Sequence, residues 1–298
     1  MTRARPLTLA RLRWCVRHLA YPVLLLGPVL VTGASFARPE LPTGLAVAAA
    51  LVSAAALIAL CERIAPASPG RRPARGVIRS DLLHSLLSSF VTSAAISAAV
   101  TALGVAAGVA TAGWLAERVG VRLWPATCPL ALQLVFGLVL GELGAYAGHR
   151  ACHASERMWR IHAMHHSADH LYVLAAGRNH PLNVLWTYCL QTFPLVLLGA
   201  PPELLALHGA FTGAQGLLQH SDARFEARWL EWLLATPRLH RIHHGHEPAD
   251  GDTNLGNNLI VWDLVFGTRR LDPEPETFGL AEGFPQGFLA QLASPWRD

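Results

Sequence analysis

Residues 128–153 read CPLALQLVFGLVLGELGAYAGHRACH, an apolar run followed directly by His149 and His153. A bilayer-spanning helix needs about 20 predominantly apolar residues, and the run 128–148 has that length. Residues four positions apart lie on the same face of a helix, so the two histidines point the same way. The stretch therefore predicts a membrane-spanning helix that ends in a pair of candidate metal ligands.

The rest of the chain also has the composition of a membrane protein. Of its 298 residues, 15% are charged and 52% are hydrophobic, whereas soluble domains carry about 25% charged residues. Further apolar runs of spanning length lie at roughly 19–37, 44–62 and 83–112. A fifth apolar region, 184–218, is broken by GAPP at 199–202, which predicts a hairpin of two short helices. We expect an all-α membrane bundle of about four transmembrane helices plus this hairpin, with a histidine-rich catalytic cap.

Arginines between the apolar runs indicate the orientation. The segment before the first run and the loop 63–80 are arginine-rich, whereas the loop 38–43 is not. The positive-inside rule makes the arginine-rich segments cytoplasmic. The fourth helix then returns to the cytoplasm with His149, and the hairpin leaves 219–298 on the same side. The positive loops suit a membrane surface, so no nucleic-acid partner is expected.

Two more histidine boxes follow the first, WRIHAMHH at 159–166 and HRIHH at 240–244. Helical spacing brings each HxxHH triplet to one face, and neutral imidazole is the commonest metal-binding side chain. Eight nitrogen donors are more than one ion uses, so the pattern predicts two metal ions. The eight histidines are His149, His153, His162, His165, His166, His240, His243 and His244.

Motifs that the sequence lacks favour iron over the other metals. The zinc-protease box HExxH is absent, and Glu142 and Glu156 do not have the Glu-x-x-His spacing of carboxylate-rich di-iron bundles. An all-histidine site of two metals beside apolar helices suits oxygen activation by iron. Two alternatives stay open: a membrane metal-binding or transport protein, and a zinc-dependent lipid hydrolase that uses the same histidines.

The segment from about 130 to 270 resembles the fatty acid hydroxylase/sterol desaturase family of integral membrane di-iron enzymes. The resemblance rests on WRIHAMHH and on four further motifs: RNHP at 178–181, TPRLHRIHH at 236–244, DTNLG at 252–256 and IVWDLVFGT at 260–268. It implies a catalytic domain at 128–270, which follows the N-terminal membrane helices (1–127). The tail (271–298) is rich in Pro and Gly and is expected to be irregular.

The resemblance also implies a ligand set. The eight histidines of the boxes would bind the irons, and His220, in QHSD at 219–222, would be a ninth ligand. Some members carry a histidine where this chain has Gly216, so one coordination position is open or is filled by His180 or water. His180 is either a ligand or a residue that supports one. Asp252 and Asn254 would accept hydrogen bonds from ligand imidazoles, because metal-bound histidine usually donates its second N–H.

The implied activity is an O2-dependent oxidation of a lipid, such as a fatty acyl chain or a sterol-like lipid, at two Fe ions. Hydroxylation is favoured over desaturation, which needs an extra constraint on the same chemistry. The sequence has no haem, flavin or Fe–S motif, so the electrons are expected from a separate small haem cytochrome, or from a ferredoxin with a reductase. We expect a bacterial inner-membrane protein with its active site on the cytoplasmic side.

One further prediction concerns the segment 223–235. Phe225, Trp229 and Trp232 form an apolar stripe at helical spacing, beside Arg224 and Arg228. The pattern predicts an amphipathic helix that lies either in the membrane interface or on the surface of the cap.

Overall fold

The computed structural model describes residues 8–120, 123–280 and 283–297. Within these ranges the regular structure is helical, without β-strands, and three isolated bridges join distant segments. The predicted all-α fold is therefore confirmed. The α-helices, in chain order, are α1 (Leu9–Cys15), α2 (Tyr21–Ser35), α3 (Thr43–Ile64), α4 (Arg75–Leu83), α5 (Thr92–Val119), α6 (Leu130–Ala154), α7 (Glu156–His166), α8 (Pro181–Gln191), α9 (Phe193–Leu197), α10 (Pro202–Gln219), α11 (Pro237–His243), α12 (Pro248–Gly251), α13 (Val261–Phe266) and α14 (Phe288–Leu292).

Four helical stretches of the described chain are long and apolar enough to cross a membrane: Leu9–Ser35, Thr43–Ile64, Arg75–Ala99 and Leu130–Ala154. They match the four predicted spans, and they mark the chain as an integral membrane protein. The third span starts earlier than predicted, because α4 begins at Arg75, inside the segment 63–80 that was predicted to be a loop. A π-helix at His84–Val91 joins α4 to α5, and another at Val16–Ala20 joins α1 to α2.

The apolar region 184–218 breaks where the sequence predicted it to break. Helix α9 ends at Leu197, Gly199 adopts a φ of +89°, and α10 begins at Pro202. The first half of the hairpin is itself divided, because a second helix starts at Phe193, where Pro194 occupies the first turn.

Helix α6 carries the first histidine pair and packs closely against α8. A Cβ on Gly144 would lie 1.8 Å from the carbonyl oxygen of Leu190, so only glycine permits this approach. Helix α10 packs on α2 and α3, where Tyr21 donates a 2.9 Å hydrogen bond to Gln215. These contacts set the ends of α6 and α10 beside the short helices α7 and α11.

The predicted amphipathic helix at 223–235 is wrong. Only Arg228–Trp232 is helical, as a five-residue 3-10 helix. The preceding backbone bonds to other segments instead of to itself: Arg224 N donates to Ala65 O and Glu226 N donates to Arg17 O. The predicted stripe also divides, because Phe225 packs against Tyr21 while both tryptophans are exposed.

The tail is less irregular than its Pro and Gly content predicted. Residues 271–280 and 283–286 have no helix, but the chain then forms α14 and a 3-10 helix at Ser294–Trp296. Gln291 of α14 is buried and accepts a hydrogen bond from Ser80. Burial against the start of the third span therefore orders the end of the tail.

Candidate metal centre

The nine histidines predicted as ligands lie together in two groups, and in each group the candidate ligand atoms all lie within 4.8 Å of one another. The first cluster has five members: His149, His153, His162, His166 and His243. The second cluster has four: His165, His220, His240 and His244. All are buried except His153, which is half-buried.

Each HxxHH triplet is shared between the clusters. In α7, the i and i+4 histidines (His162 and His166) belong to the first cluster and the i+3 histidine (His165) to the second. In α11 and the residue that follows it the assignment is reversed, because His240 and its i+4 neighbour His244 belong to the second cluster and His243 to the first. The expectation that each triplet converges on one place therefore needs correction: each triplet connects two sites.

In the first cluster the Nε2 atoms face one another. His162 Nε2 lies 3.0 Å from His149 Nε2 and 3.2 Å from His166 Nε2. His243 Nε2 lies 3.1 Å from His149 Nε2.

The second cluster has the same arrangement. His220 Nε2 lies 3.1 Å from His165 Nε2 and 3.0 Å from His240 Nε2, and the Nε2 atoms of His240 and His244 are 3.0 Å apart. Nitrogens that bind one ion at about 2.1 Å and at right angles are about 3 Å from each other. The spacing in both clusters is that of a ligand set.

Backbone carbonyls hold the second ring nitrogen, Nδ1, of four histidines. The Nδ1 atoms of His149 and His243 lie 2.8 Å from Leu255 O and 2.9 Å from Thr253 O. Those of His220 and His165 lie 2.7 Å from Gly216 O and 3.3 Å from Arg178 O. A carbonyl only accepts, so each Nδ1 carries the proton and each Nε2 presents a lone pair to its cluster.

Lone pairs that face each other at 3 Å in a buried site repel unless a cation lies between them. The buried Nε2 atom of His153, in the first cluster, also has no hydrogen-bond partner among the described residues. An unpartnered buried polar atom costs about 1–3 kcal/mol. The donor set thus fits two metal ions, one for each cluster.

Electrostatics keeps these rings neutral, as metal binding requires. Burial lowers the pKa of His220 to about 4. Burial first, and then the charge of neighbouring rings, lowers the pKa well below the usual value for His162, His165, His166, His240, His243 and His244. At neutral pH their nitrogens are available as ligands.

The loop 253–258 holds the first cluster in place. Asp263 accepts hydrogen bonds from Leu255 N at 2.7 Å and from Gly256 N at 2.8 Å. Glu142 accepts from the backbone N of Asn257 and Asn258 and from the Asn258 side chain. Two buried carboxylates therefore fix the loop whose carbonyls orient His149 and His243.

Neither Asp252 nor Asn254 accepts a hydrogen bond from a ligand imidazole in the described part of the chain. The acceptors for His243 and His149 are main-chain carbonyls of the same segment, at Thr253 and Leu255. Asp252 is exposed, and Asn254 bonds to backbone groups at Leu239 and Arg270. Carbonyl acceptors leave no signal in a sequence, since every residue has one.

His180 does not join either cluster. It caps the N-terminus of α8, with Nδ1 accepting from Leu182 N at 3.1 Å, and its Nε2 lies 3.2 Å from Leu292 O. Both ring nitrogens are used by backbone groups. At Gly216, a Cβ would meet nothing within 4 Å, and this residue contributes its carbonyl to His220.

Comparisons with known proteins point to one family. The sequence model described as fatty acid hydroxylase matches residues 134–268. The ornithine lipid hydroxylase OlsE of Rhizobium tropici is 42% identical over 175 residues, which cover 58% of this chain and 53% of that protein. The alkylglycerol monooxygenases of Xenopus tropicalis and Homo sapiens are each 32% identical over 139 residues, or 47% of this chain and 31% of theirs. The chain thus spans about half of the first relative's length and less of the others; no solved structure matches it.

Proposed function

We propose that the protein is a membrane-bound di-iron oxygenase that hydroxylates a lipid, from the premise that residues 134–268 match the fatty acid hydroxylase family model. The observation that carries the proposal is the pair of buried all-histidine clusters at the end of a membrane-spanning helix, inside the matched segment. The family resemblance predicted from the histidine boxes is confirmed, while the activity and the substrate are our inference.

The nine histidines would hold one iron in each cluster. When bound, the two irons would supply the oxidising power, drawn from O2 and external electrons, that an unactivated C–H bond requires. The protein's own contribution is to hold Nε2 lone pairs toward each centre through carbonyl bonds on Nδ1 and to exclude water by burial.

The similarity to a lipid hydroxylase favours hydroxylation of a membrane lipid over desaturation. The reaction also needs an external electron donor, for which we propose a small haem cytochrome or a ferredoxin with its reductase. From the arginine-rich loops we propose a bacterial inner membrane with the clusters on the cytoplasmic side.

The two alternatives receive less support. A transport protein places polar groups along a path through the membrane, whereas these histidines form two enclosed clusters. A zinc-dependent hydrolase would use the same ligands but would not consume oxygen.

The test is comparative lipid analysis of cells that express the intact protein or the His165→Ala variant, grown under oxygen-18 gas. We expect a lipid that gains one labelled oxygen only with the intact protein. A lipid that loses two hydrogens without label would indicate a desaturase. A hydrolysed lipid that forms equally without oxygen would refute the oxygenase. The His18→Ala variant is the control, because His18 is exposed and its ring lies, tilted, 5.0 Å from that of Trp14, far from the clusters in sequence.

A further inference from the structure

Helix α13 exposes three consecutive large apolar side chains. Leu264, Val265 and Phe266 are all exposed, Val265 by 62%. Such a run on a six-residue helix is unfavourable in water, so it indicates a contact surface. Trp229, Trp232 and Leu233, of the neighbouring segment, are also exposed, with 72% and 63% for the tryptophans.

These two segments lie side by side. Leu234 and Leu259 are joined by an isolated bridge, and Ile260 N donates to Leu233 O at 3.0 Å. Arg269 lies 4.1 Å above the ring of Trp232 and donates two hydrogen bonds to the carbonyl of Glu231. We call the exposed side chains of Trp229, Trp232, Leu233, Leu264, Val265 and Phe266 the apolar ledge.

The apolar ledge is continuous with a membrane-spanning helix. Trp262 Nε1 donates to Val139 O of α6 at 2.9 Å, and the ring of Phe266 stacks on Tyr146 with centroids 5.2 Å apart. Val139 precedes His149 by ten residues in the sequence, or about 15 Å along the helix. The exposed face of α6 at this level is itself apolar: Leu132, Val135, Phe136 and Val139.

We propose that the apolar ledge is embedded in the lipid bilayer, with α13 among the acyl chains and Trp229 and Trp232 at the level of the headgroups. Tryptophan favours that interface. The exposed Arg228 lies on the same segment and suits lipid phosphates, whereas Arg224 is paired with Glu226. The backbone of α13 is helical, which a lipid environment requires.

This membrane contact lies next to the clusters. The two segments of the ledge flank the junction where Ala235 N donates to Asn258 O, between the third histidine box and the loop 253–258. The segment that carries the histidine clusters thereby rests on the membrane through its own residues, in addition to the four spanning helices. The inference stands on geometry and does not depend on the proposed activity.

Tryptophan fluorescence tests the proposal with the full-length protein in phosphatidylcholine–phosphatidylglycerol vesicles. The fluorescence emission of the Trp229→Phe/Trp232→Phe variant is subtracted from that of the intact protein. The difference is the emission of the two tryptophans of the ledge. We expect lipids brominated on the acyl chain to quench most of this difference and aqueous iodide to quench little of it. Quenching by iodide without quenching by brominated lipid would overturn the proposal.

Trp296 provides the reference for water. It is 70% exposed, like the ledge tryptophans, but it lines a cavity of about 490 Å³ with the charged side chains of Glu156, Arg157 and Arg160. The difference emission of Trp296→Phe should be quenched by iodide, which shows that the assay detects aqueous tryptophan.

Substitution of Val265 tests whether α13 lies among the acyl chains. Val265→Glu should lower the unfolding midpoint of the protein in these vesicles, because a charge among acyl chains is unfavourable. Val265→Leu should leave it unchanged. Equal midpoints for the two variants would show that α13 faces water and would overturn its placement in the membrane.

Discussion

The two histidine clusters share helices α7 and α11, yet they depend on different parts of the molecule. In the first cluster, the carbonyls that orient His149 and His243 belong to the loop 253–258, which Asp263 and Glu142 hold. In the second, His220 bonds to its own helix, and His165 bonds to the carbonyl of Arg178.

Arg178 is in turn paired with a residue of the third membrane span. Its side chain is buried and lies 2.7 Å from Asp81. The comparison teaches that the clusters can be disturbed separately, from the loop or from the membrane bundle, although each HxxHH triplet contributes to both.

The largest effect is expected when a ligand is removed from either cluster. His243→Ala in the first and His165→Ala in the second should each lower the rate of lipid oxidation by more than about 100-fold, because loss of even a supporting partner costs 10–100-fold. The measurement is product formation per unit of folded membrane protein. Full activity in either variant would contradict the assignment of that cluster, and His18→Ala should leave the rate unchanged.

Asp81→Asn should destabilise the protein by weakening the contacts that support the second cluster. This change leaves the buried guanidinium of Arg178 without its carboxylate, and breaking a buried ion pair costs about 3–5 kcal/mol. Thermal unfolding in detergent micelles should show a clearly lower midpoint. Glu156→Gln is the matched control, because Glu156 is 87% exposed in its pair with Arg160, and surface pairs contribute about 0–1 kcal/mol. Equal midpoints for the two variants would argue against this support.

Asp263→Asn should have a smaller effect, through the contacts that support the first cluster. The loop would lose acceptors for Leu255 N and Gly256 N, and the iron affinity of one site should fall by about 10–100-fold. Anaerobic iron titration should then show one weakened and one unchanged site. Asp252→Asn, an exposed acid of the same segment, should bind iron as the intact protein does. Equal weakening of both sites would refute the separate dependence.

Acid should destabilise the metal-free protein within a defined window. The pKa of His220 is lowered to about 4 by burial, whereas the unfolded chain binds this proton near 6.5. The stability that the neutral ring contributes is therefore complete above about pH 6.5 and is lost as the pH falls toward 4. Unfolding midpoints between pH 7.5 and 5 should decrease, and less so for His220→Gln. A constant midpoint would contradict the burial of neutral rings.

Much of this arrangement was accessible from sequence. Apolar length predicted the four spans, the GAPP at 199–202 predicted the hairpin break, and helical spacing singled out the eight box histidines. His220 required the family resemblance, because a single histidine has no spacing pattern of its own. These features succeed because each depends on local composition or on the pitch of one helix.

The failures arise where distant segments determine the outcome. The segment 223–235 has helical periodicity, but its backbone bonds to Ala65 and Arg17 instead. The division of each triplet between two clusters depends on how α7 and α11 face each other, and the carbonyl tethers depend on loop geometry. Neither is encoded in residue spacing.

The central claim is that each cluster holds one iron, and anaerobic reconstitution with ferrous iron followed by metal analysis per chain tests it most directly. The account predicts about two irons in the intact protein and about one in the His220→Ala/His240→Ala variant, which damages the second cluster alone. A single iron in the intact protein, or two in this variant, would contradict it.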